Sequence, residues 1–259
     1  MEENRLVQKM QEKQIVLGYS NSVPHPGAIE LSCEGWDFVW MCAQHGYQDY
    51  NSTYHCMLAA ERHGLATVVR VPGHEPDYLS RMMDLAPSAV MVPLVNTPEQ
   101  ARAIARAVNY PPEGARSFCG VRILSLFDAE ACRKRQSLVI AQIETEEAVR
   151  NAPEIIATPG IDMLFFSPDD TRLSMGIPLS TGIDEHPVLC AYMRQVAQAC
   201  RDAGKRAGLV AITDSLIRAA VDAGYSMIVP ISEAALLLQS RAYAQEKRRL
   251  VHEICKKGE

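Results

Sequence analysis

The stretch PGIDMLFFSPDDTRLSMG, residues 159–176, carries the pattern that decides the fold. Its apolar run MLFFSP (163–168) has the length of a buried strand, and it stops abruptly at Asp169 and Asp170. Adjacent carboxylates repel each other, so they are usually solvated or neutralised by a partner. Two explanations stand at this point: the acidic pair starts the next helix, or it faces a cation.

Seven further apolar runs of strand length are spread along the chain. They are IVLGYS (15–20), FVWMCA (38–43), ATVVRVP (66–72), AVMVPLV (89–95), LVIAQIE (138–144), GLVAI (208–212) and MIVPI (227–231). The runs are continuously apolar rather than alternating, which is typical of strands that are buried on both faces, as in parallel sheets.

Helical patterns separate these runs. The segment NTPEQARAIARAV has Thr97 as an expected N-cap and Pro98 in its first turn, and two later segments end at Gly204 and Gly224. Eight strands, nearly all followed by a helix, have the size and order of a (β/α)8 TIM barrel. We therefore predict a single α/β barrel domain over residues 1–259.

One alternative fold and one long connection remain to be considered. A doubly wound open sheet has similar elements, but no G-x-G-x-x-G motif follows the first strand. The stretch 110–137 is long for a connection between a strand and a helix. Long loops in compact domains are usually lids or binding loops, so we expect it to be functional.

The composition excludes several classes of protein. With 47% hydrophobic and 22% charged residues and a net charge of -5, the chain looks globular and lacks the basic surface of a nucleic-acid binder. It has neither a run of about 18 apolar residues nor a signal-peptide pattern, so we expect no membrane association. The eight cysteines form no C-x-x-C pair, which predicts free thiols in a reducing cytoplasm.

Polar side chains fall at the predicted carboxyl ends of the strands, the face on which barrel enzymes build their sites. The residues are Gln44, His45, Arg70, Gln142, Glu144, Asp169 and Asp170. Each alone has a structural explanation: His45 as a hydrogen-bonded histidine, Arg70 as an ion-pair partner of Glu144, and the acids as first-turn helix residues. Their joint placement at one mouth indicates a site instead. Carboxylate and amide oxygens favour Mg²⁺ or Mn²⁺, which would polarise a carbonyl.

Several motifs resemble those of one family along nearly the whole chain. They are GWDFVWMCAQH (35–45), VVRVP (68–72), MVPLVNTPEQARAIARAVNYPPEGAR (91–116), AQIET (141–145), the opening stretch 159–176 and AGYSMIVPISEAALLLQ (223–239). In this order and spacing, the sequence resembles the metal-dependent (class II) 2-oxo acid aldolases of the HpcH/HpaI aldolase/citrate lyase family. Single motifs are weak signals, and the ordered series is a strong one.

The resemblance implies a role for each matched residue. Glu144 and Asp170 would hold the divalent metal, with Co²⁺ as a further candidate beside Mg²⁺ and Mn²⁺. Arg70 would stabilise the oxyanion at the keto oxygen. His45 would be the general base, acting directly or through a metal-bound water. The substrate-binding positions are Gln142, Ser167 and Asp169, of which Gln142 would bind the carboxylate end.

The resemblance also implies an oligomer. Asp84, in RMMDLAPSA, matches a family aspartate that raises the basicity of the catalytic histidine. It precedes the fourth strand, at the wrong end of its own barrel, so we expect it to reach the site of a neighbouring subunit, unless it is only a surface residue. The stretch 232–257 would form a long helix that packs on a neighbour in a trimer of dimers, or else closes its own barrel.

The implied reaction cleaves a 4-hydroxy-2-oxo acid to pyruvate and an aldehyde through a metal-stabilised pyruvate enolate. No lysine falls late in a predicted strand, which disfavours a Schiff-base mechanism. Two alternatives remain. One is a citrate-lyase-type acyl-CoA lyase, for which Arg116, Arg122 and Arg133 would have to bind the CoA phosphates. The other is a non-catalytic metal-binding barrel.

The sequence departs from the family pattern around the expected substrate. Cys42 stands where the family commonly has Asp, and Gln44 stands where it has Glu. Ser167 replaces Gly, and Thr171 with Arg172 replaces Leu-Ser. Asp169 replaces a small residue, and an added carboxylate would repel an anionic substrate unless it points away or joins the metal. Arg172 would either attract an acidic substrate or lie exposed at a helix start.

Overall fold

The computed structural model describes residues 4–256, and its eight parallel strands close into a barrel in chain order. The strands are β1 (Val16–Asn21), β2 (Phe38–Cys42), β3 (Ala66–Arg70), β4 (Ala89–Val92), β5 (Leu138–Ile143), β6 (Met163–Phe166), β7 (Arg206–Val210) and β8 (Met227–Ser232). Each strand pairs with the next, and β8 pairs with β1. The predicted (β/α)8 barrel is confirmed, and the open-sheet alternative is wrong.

Helices surround the barrel. They are α1 (Arg5–Glu12), α2 (Pro26–Ser32), α3 (Tyr50–Arg62), α4 (Pro76–Met83), α5 (Pro98–Val108), α6 (Val121–Leu126), α7 (Glu146–Ala157), α8 (Pro168–Ser174), α9 (Pro187–Asp202), α10 (Asp214–Ala223) and α11 (Glu233–Lys256). Among residues 4–256, no helix is both long and apolar enough to cross a membrane.

The predicted helix boundaries follow from local hydrogen bonding and backbone geometry. Thr97 and Gln100 form a reciprocal capping box at the start of α5, where Pro98 takes the first helical position. Gly224 ends α10 at φ 95°, and Gly204 follows α9 at φ 66°. Both angles lie in the left-handed region, where glycine has no steric cost.

The apolar side chains divide into an interior cluster and an outer layer. Successive strand residues point to opposite faces, so every second residue enters the barrel. Phe38 and Trp40 of β2 therefore lie inside, and Trp40 packs on Phe165 of β6 with ring centroids 5.4 Å apart. Leu6 and Met10 of α1 join this interior cluster. The outer layer joins the opposite strand faces to the helices.

The long connection 110–137 contains α6 and a short 3-10 helix, Ala131–Arg133. Arg122 fixes it by donating two hydrogen bonds of 2.6 Å to Glu61 and one of 2.7 Å to the carbonyl of Leu85. Glu61 lies in the last turn of α3, and Leu85 lies between α4 and β4. These anchors place the connection at the amino-terminal end of the barrel, away from the strand ends that would need a lid.

Two interior glycines make room for the aromatic rings. Gly18 of β1 pairs with Phe38 of β2, and a Cβ on Gly18 would lie 2.5 Å from that ring. Gly208 of β7 pairs with Phe165 of β6, where a Cβ would lie 2.7 Å from the ring. Both distances are well inside van der Waals contact, so the rings occupy the space that a side chain would need.

We predict that Gly18→Ala lowers the free energy of unfolding by about 1–3 kcal/mol, because an added methyl group overpacks the barrel interior. Urea unfolding followed by circular dichroism measures the change. Gly73→Ala is the matched control, since nothing lies within 4 Å of a Cβ there, and it should change stability by no more than about 0.5 kcal/mol. Equal effects of the two substitutions would contradict the packing argument.

Candidate active site

The alternation that fills the barrel interior also brings polar side chains into its carboxyl-terminal mouth. Residues two apart share a strand face, so the last members of the interior series are polar where the strands end. They are Cys42 after Trp40, Arg70 after Val68, Gln142 and Glu144 after Ile140, and Ser167 after Phe165. All five are buried, with exposures of 2%, 8%, 0%, 3% and 4% in that order.

Two carboxyl groups meet at the ends of β5 and β6. Glu144 follows β5 and is buried, whereas Asp170 lies exposed in the first turn of α8. Burial, together with the charge of Asp170 and a hydrogen bond to it, raises the pKa of Glu144 to about 7. The backbone N–H of Leu94, held at φ 54°, donates a 2.6 Å hydrogen bond to the Glu144 carboxylate. Two facing carboxyl groups require a shared proton or a cation.

The neighbouring Asp169 has a different partner. Its carboxylate forms an ion pair with Arg172, one turn further along α8, at 2.9 Å. Arg172 also donates a 2.5 Å hydrogen bond to the carbonyl of Thr181. The acidic residue that departs from the family pattern is therefore neutralised within its own helix. Both aspartates start the helix, but only Asp170 contacts Glu144.

Gln142 and Ser167 form a buried polar pair between β5 and β6. The Gln142 amide donates a hydrogen bond to the Ser167 hydroxyl. The Gln142 carbonyl oxygen is buried and has no hydrogen-bond partner. Most buried polar atoms in proteins are paired, so an unpaired one in a mouth is a group that a ligand or water can satisfy.

Arg70 is held between an aromatic ring and a sulfur atom. Its guanidinium lies 4.5 Å from the centre of the Trp40 ring, and its Nη2 donates a 3.0 Å hydrogen bond to Cys42 Sγ. The Arg70 Nε is buried without a partner. Stacking and hydrogen bonding fix the plane of the guanidinium and leave this N–H free.

Cys42 is the site residue whose position the sequence marked only as a departure. Burial alone would raise the pKa of its thiol, but the Arg70 guanidinium and the backbone N–H groups of His45 and Gly46 outweigh it and hold the pKa below its usual value. The His45 N–H lies 3.2 Å from the sulfur. The sulfur thus accepts hydrogen bonds both from Arg70 of β3 and from the turn after β2.

The turn that carries His45 is tight. The backbone N–H of Gly46 donates a 3.2 Å hydrogen bond to the carbonyl of Cys42, and a Cβ on Gly46 would lie 2.3 Å from that same oxygen. The His45 ring is exposed. The structure thus places the backbone of His45 against the Cys42 sulfur and leaves the residue exposed just beyond the carboxyl end of β2.

Another buried carboxylate fixes the end of β1 and the residues after it, and sequence reasoning missed it. Glu233, the first residue of α11, accepts hydrogen bonds of 2.8 Å from the Asn21 amide, 3.2 Å from Ser22 N and 3.1 Å from Val23 N. Gln48 donates a 2.6 Å hydrogen bond to the Asn21 side chain. The available signal was a glutamate directly after β8, two residues beyond the apolar run MIVPI (227–231).

Asp84 lies at the opposite end of the barrel. It follows α4 and forms a 2.5 Å ion pair with the buried Arg116, which in turn stacks 4.7 Å from the centre of the Tyr110 ring. Gly120 packs against the Asp84 side chain so closely that a Cβ would lie 2.5 Å away. Asp84 is therefore held by Arg116 and Gly120, and it does not join the site of its own barrel.

The donor set can be tested against the expected metal. Within residues 4–256, no three His, Cys, Asp or Glu side chains converge as a closed metal cage. Glu144 and Asp170 form a pair instead. Mg²⁺ is typically bound through one or two carboxylates with several positions left for water and substrate, so this pair fits it and Mn²⁺.

Comparison with known proteins places this geometry in a family. The family profile described as HpcH/HpaI aldolase/citrate lyase matches residues 21–229. The chain is 32% identical to a 2-dehydro-3,6-dideoxy-6-sulfogluconate aldolase of Pseudomonas putida, over 82% of this chain and 83% of the relative. It is also 32% identical to a 4-hydroxy-2-oxovalerate aldolase of Novosphingobium aromaticivorans, over 85% and 84%.

A solved structure gives the same result for the fold. An HpcH/HpaI aldolase/citrate lyase family protein from Burkholderia cenocepacia superimposes with a TM-score of 0.84 at 27% identity, covering 95% of this chain and 99% of that one. The family and the names of the relatives indicate an aldolase, which is a carbon–carbon lyase. The chain belongs to the HpcH/HpaI aldolase/citrate lyase family.

Proposed function

We propose that this protein is a metal-dependent aldolase that cleaves a 4-hydroxy-2-oxo acid to pyruvate and an aldehyde. The observation that carries the proposal is the facing pair of Glu144 and Asp170 in a mouth that also holds the buried Arg70. The relatives are named as aldolases of 2-oxo acids, which supports the same reaction.

Glu144 and Asp170 would hold a divalent cation, and Mg²⁺, Mn²⁺ and Co²⁺ are the candidates. Such a cation would supply Lewis acidity to the keto group of the substrate. The pKa of Glu144, raised to about 7 by burial and by Asp170, means that the metal-free pair readily keeps a proton. A cation would take the place of that proton.

Arg70 would stabilise the negative charge that develops at the keto oxygen. Its guanidinium is already fixed by Trp40 and Cys42, and its Nε has no protein partner. A buried, preorganised donor aimed at developing charge is typically the largest catalytic contribution. Gln142 and Ser167 would hydrogen-bond the carboxylate end of the substrate.

His45 would accept the proton of the 4-hydroxyl group. As that proton leaves, the C3–C4 bond breaks, the new carbonyl departs as the aldehyde, and the electron pair of the bond forms the enolate of pyruvate. Protonation of the enolate carbon completes the reaction. The exposed imidazole lies on the turn after β2, at the mouth, where such a hydroxyl can reach it.

The geometry disfavours the acyl-CoA alternative. Arg116 and Arg122, which would bind the CoA phosphates, are paired with Asp84 and Glu61 at the amino-terminal end of the barrel. Of these three arginines, only Arg133 is exposed in the described part of the chain. Within residues 4–256 no lysine lies in a strand, which equally disfavours a Schiff base.

We expect the protein to exchange the methyl protons of pyruvate in D₂O when Mg²⁺ or Mn²⁺ is present, because the site would form the enolate. Proton NMR measures the loss of the methyl signal, and EDTA should abolish it. The absence of exchange, in protein shown to bind the metal, would favour the non-catalytic or acyl-CoA alternative.

The two adjacent aspartates provide a matched test of the metal site. Asp170→Asn should weaken Mn²⁺ binding by about 100-fold or more, since even the loss of an outer partner of a metal ligand costs about 10- to 100-fold. Asp169→Asn should leave binding within a few fold, because Asp169 is paired with Arg172. Isothermal titration calorimetry measures both affinities. Equal losses in the two variants would place the metal elsewhere.

We also propose that the protein acts as a homo-oligomer in the cytoplasm, arranged as a trimer of dimers. Eight unpaired cysteines suit a reducing compartment. Helix α11 exposes large apolar side chains suited to a neighbouring subunit, namely Leu236, Leu237, Leu238, Tyr243, Leu250, Val251 and Ile254. Asp84 would complete the site of a neighbour, since it lies far from its own mouth.

Coexpression of two inactive variants tests this role of Asp84. Asp84→Asn and Glu144→Gln should each lose most exchange activity alone, and coexpression should restore a fraction of it, because mixed oligomers combine an intact barrel with an intact neighbouring Asp84. Glu144→Gln coexpressed with Asp170→Asn is the control. Every barrel in that mixed oligomer lacks one of its two metal-binding carboxylates, so no intact site can form. Recovery in the control, or none in the test pair, would contradict the proposal.

A further inference from the structure

We propose that Cys42 is a positioning residue whose sulfur, as a thiolate, holds the Arg70 guanidinium and the backbone of the His45 turn in their working positions. This inference rests on the proposed function for its kinetic consequences, whereas the charge state of the sulfur can be measured without any substrate. Cys42 would act through Arg70 and His45 and would not touch the reacting atoms.

The first argument is geometric. Cys42 ends β2, and its side chain belongs to the interior series that fills the barrel, so it is 2% exposed. Its Sγ lies 3.0 Å from Arg70 Nη2 on β3 and 3.2 Å from the backbone N of His45. One atom therefore connects the two groups that are assigned to oxyanion stabilisation and to proton transfer.

The second argument concerns charge. The groups that face the sulfur are the Arg70 guanidinium from β3 and the N–H groups of His45 and Gly46 from the turn. All of them are donors or carry positive charge, and a buried guanidinium needs a compensating anion. The carboxyl group of Glu144 also interacts with Arg70, but it keeps a raised pKa there. The sulfur is the acceptor in direct hydrogen-bond contact with Arg70.

The third argument is that different parts of the Arg70 guanidinium make different contacts. Nη2 donates a hydrogen bond to the Cys42 sulfur, the ring of Trp40 covers one face of the guanidinium, and Nε is buried without a partner. A guanidinium presents its donors in a fixed plane, so fixing one edge on Cys42 sets the direction of the free N–H. Loss of that anchor would let Arg70 rotate toward the acidic pair and away from the keto oxygen.

Kinetics of three variants test the positioning role. Cys42→Ala should lower kcat/KM by roughly 100-fold, mainly through kcat, which is the scale of effect for a misplaced catalytic group. Cys42→Ser, a neutral acceptor, should be similarly impaired. Cys42→Asp should recover activity to within about 10-fold of wild type and move the acid limb of the kcat/KM profile to lower pH, because a carboxylate stays ionised down to about pH 4.

Cys56→Ala is the control for loss of a buried thiol. Cys56 is equally buried on α3, and burial raises its pKa to about 11, so it carries no charge at neutral pH. We expect this variant to keep the wild-type kcat and pH profile. Wild-type activity in Cys42→Ser across the pH range, or failure of Cys42→Asp to exceed Cys42→Ala, would overturn the role of the sulfur charge.

A spectroscopic titration separates this inference from the aldolase proposal. The ultraviolet absorbance of the thiolate, taken as wild type minus Cys42→Ala, should appear below the ordinary cysteine pKa of about 8.5. In Arg70→Gln the same signal should move to higher pH, and this variant retains Cys42 if the alanine variant does not fold. A Cys42 signal that titrates at or above the ordinary value in wild type would overturn the inference, whatever reaction the protein catalyses.

Discussion

The closed ring of parallel strands is the constraint on which the rest of this structure depends. Closure leaves each strand one inward face, so every second residue must either fill the interior or project from an end. Phe38, Trp40 and Phe165 fill it, with glycines on the neighbouring strands providing the space. The same alternation leaves polar side chains at the mouth with no freedom to turn outward. The alternation that packs the barrel interior therefore also determines where the candidate site lies.

The mouth of the barrel holds a pair of carboxyl groups and a guanidinium, which have different partners. Glu144 and Asp170 bring negative charge together, and burial makes that costly enough to raise the pKa of Glu144 to about 7. Arg70 brings positive charge to the same mouth but has the Cys42 sulfur as its direct partner. Under the proposed function, the acidic pair would bind a cation, and the guanidinium would keep one N–H donor for the substrate. Asp169, held by Arg172, stays out of this balance.

Most of the fold could be predicted from the sequence because the eight apolar runs and the helix stops are local signals. The facing of Glu144 and Asp170 could be expected as well, since parallel strand ends share one edge. The Cys42–Arg70 contact could not, because it depends on the register of β2 against β3. The Glu233–Asn21 bond was equally hidden, since it joins residues 212 positions apart. The loop 110–137 was expected to be a lid or a binding loop, but it joins the end of α5 to the start of β5 and therefore lies at the amino-terminal end of the barrel, where Arg122 fixes it.

Glu233 has a consequence for how the molecule opens. It sits where the last strand meets the first, and the β1–β8 ladder there is interrupted by a register shift between Leu17 and Tyr19. Local unfolding begins where main-chain pairing is weakest and a terminal element can fray, well below the free energy of global unfolding. Separation of α11 from β1 would withdraw the carboxylate from Asn21 and free Gln48 with the turn beyond His45. Amide hydrogen exchange at the junction of β1, β8 and α11 would then increase as the site loses its working geometry, while the remaining strands stay folded.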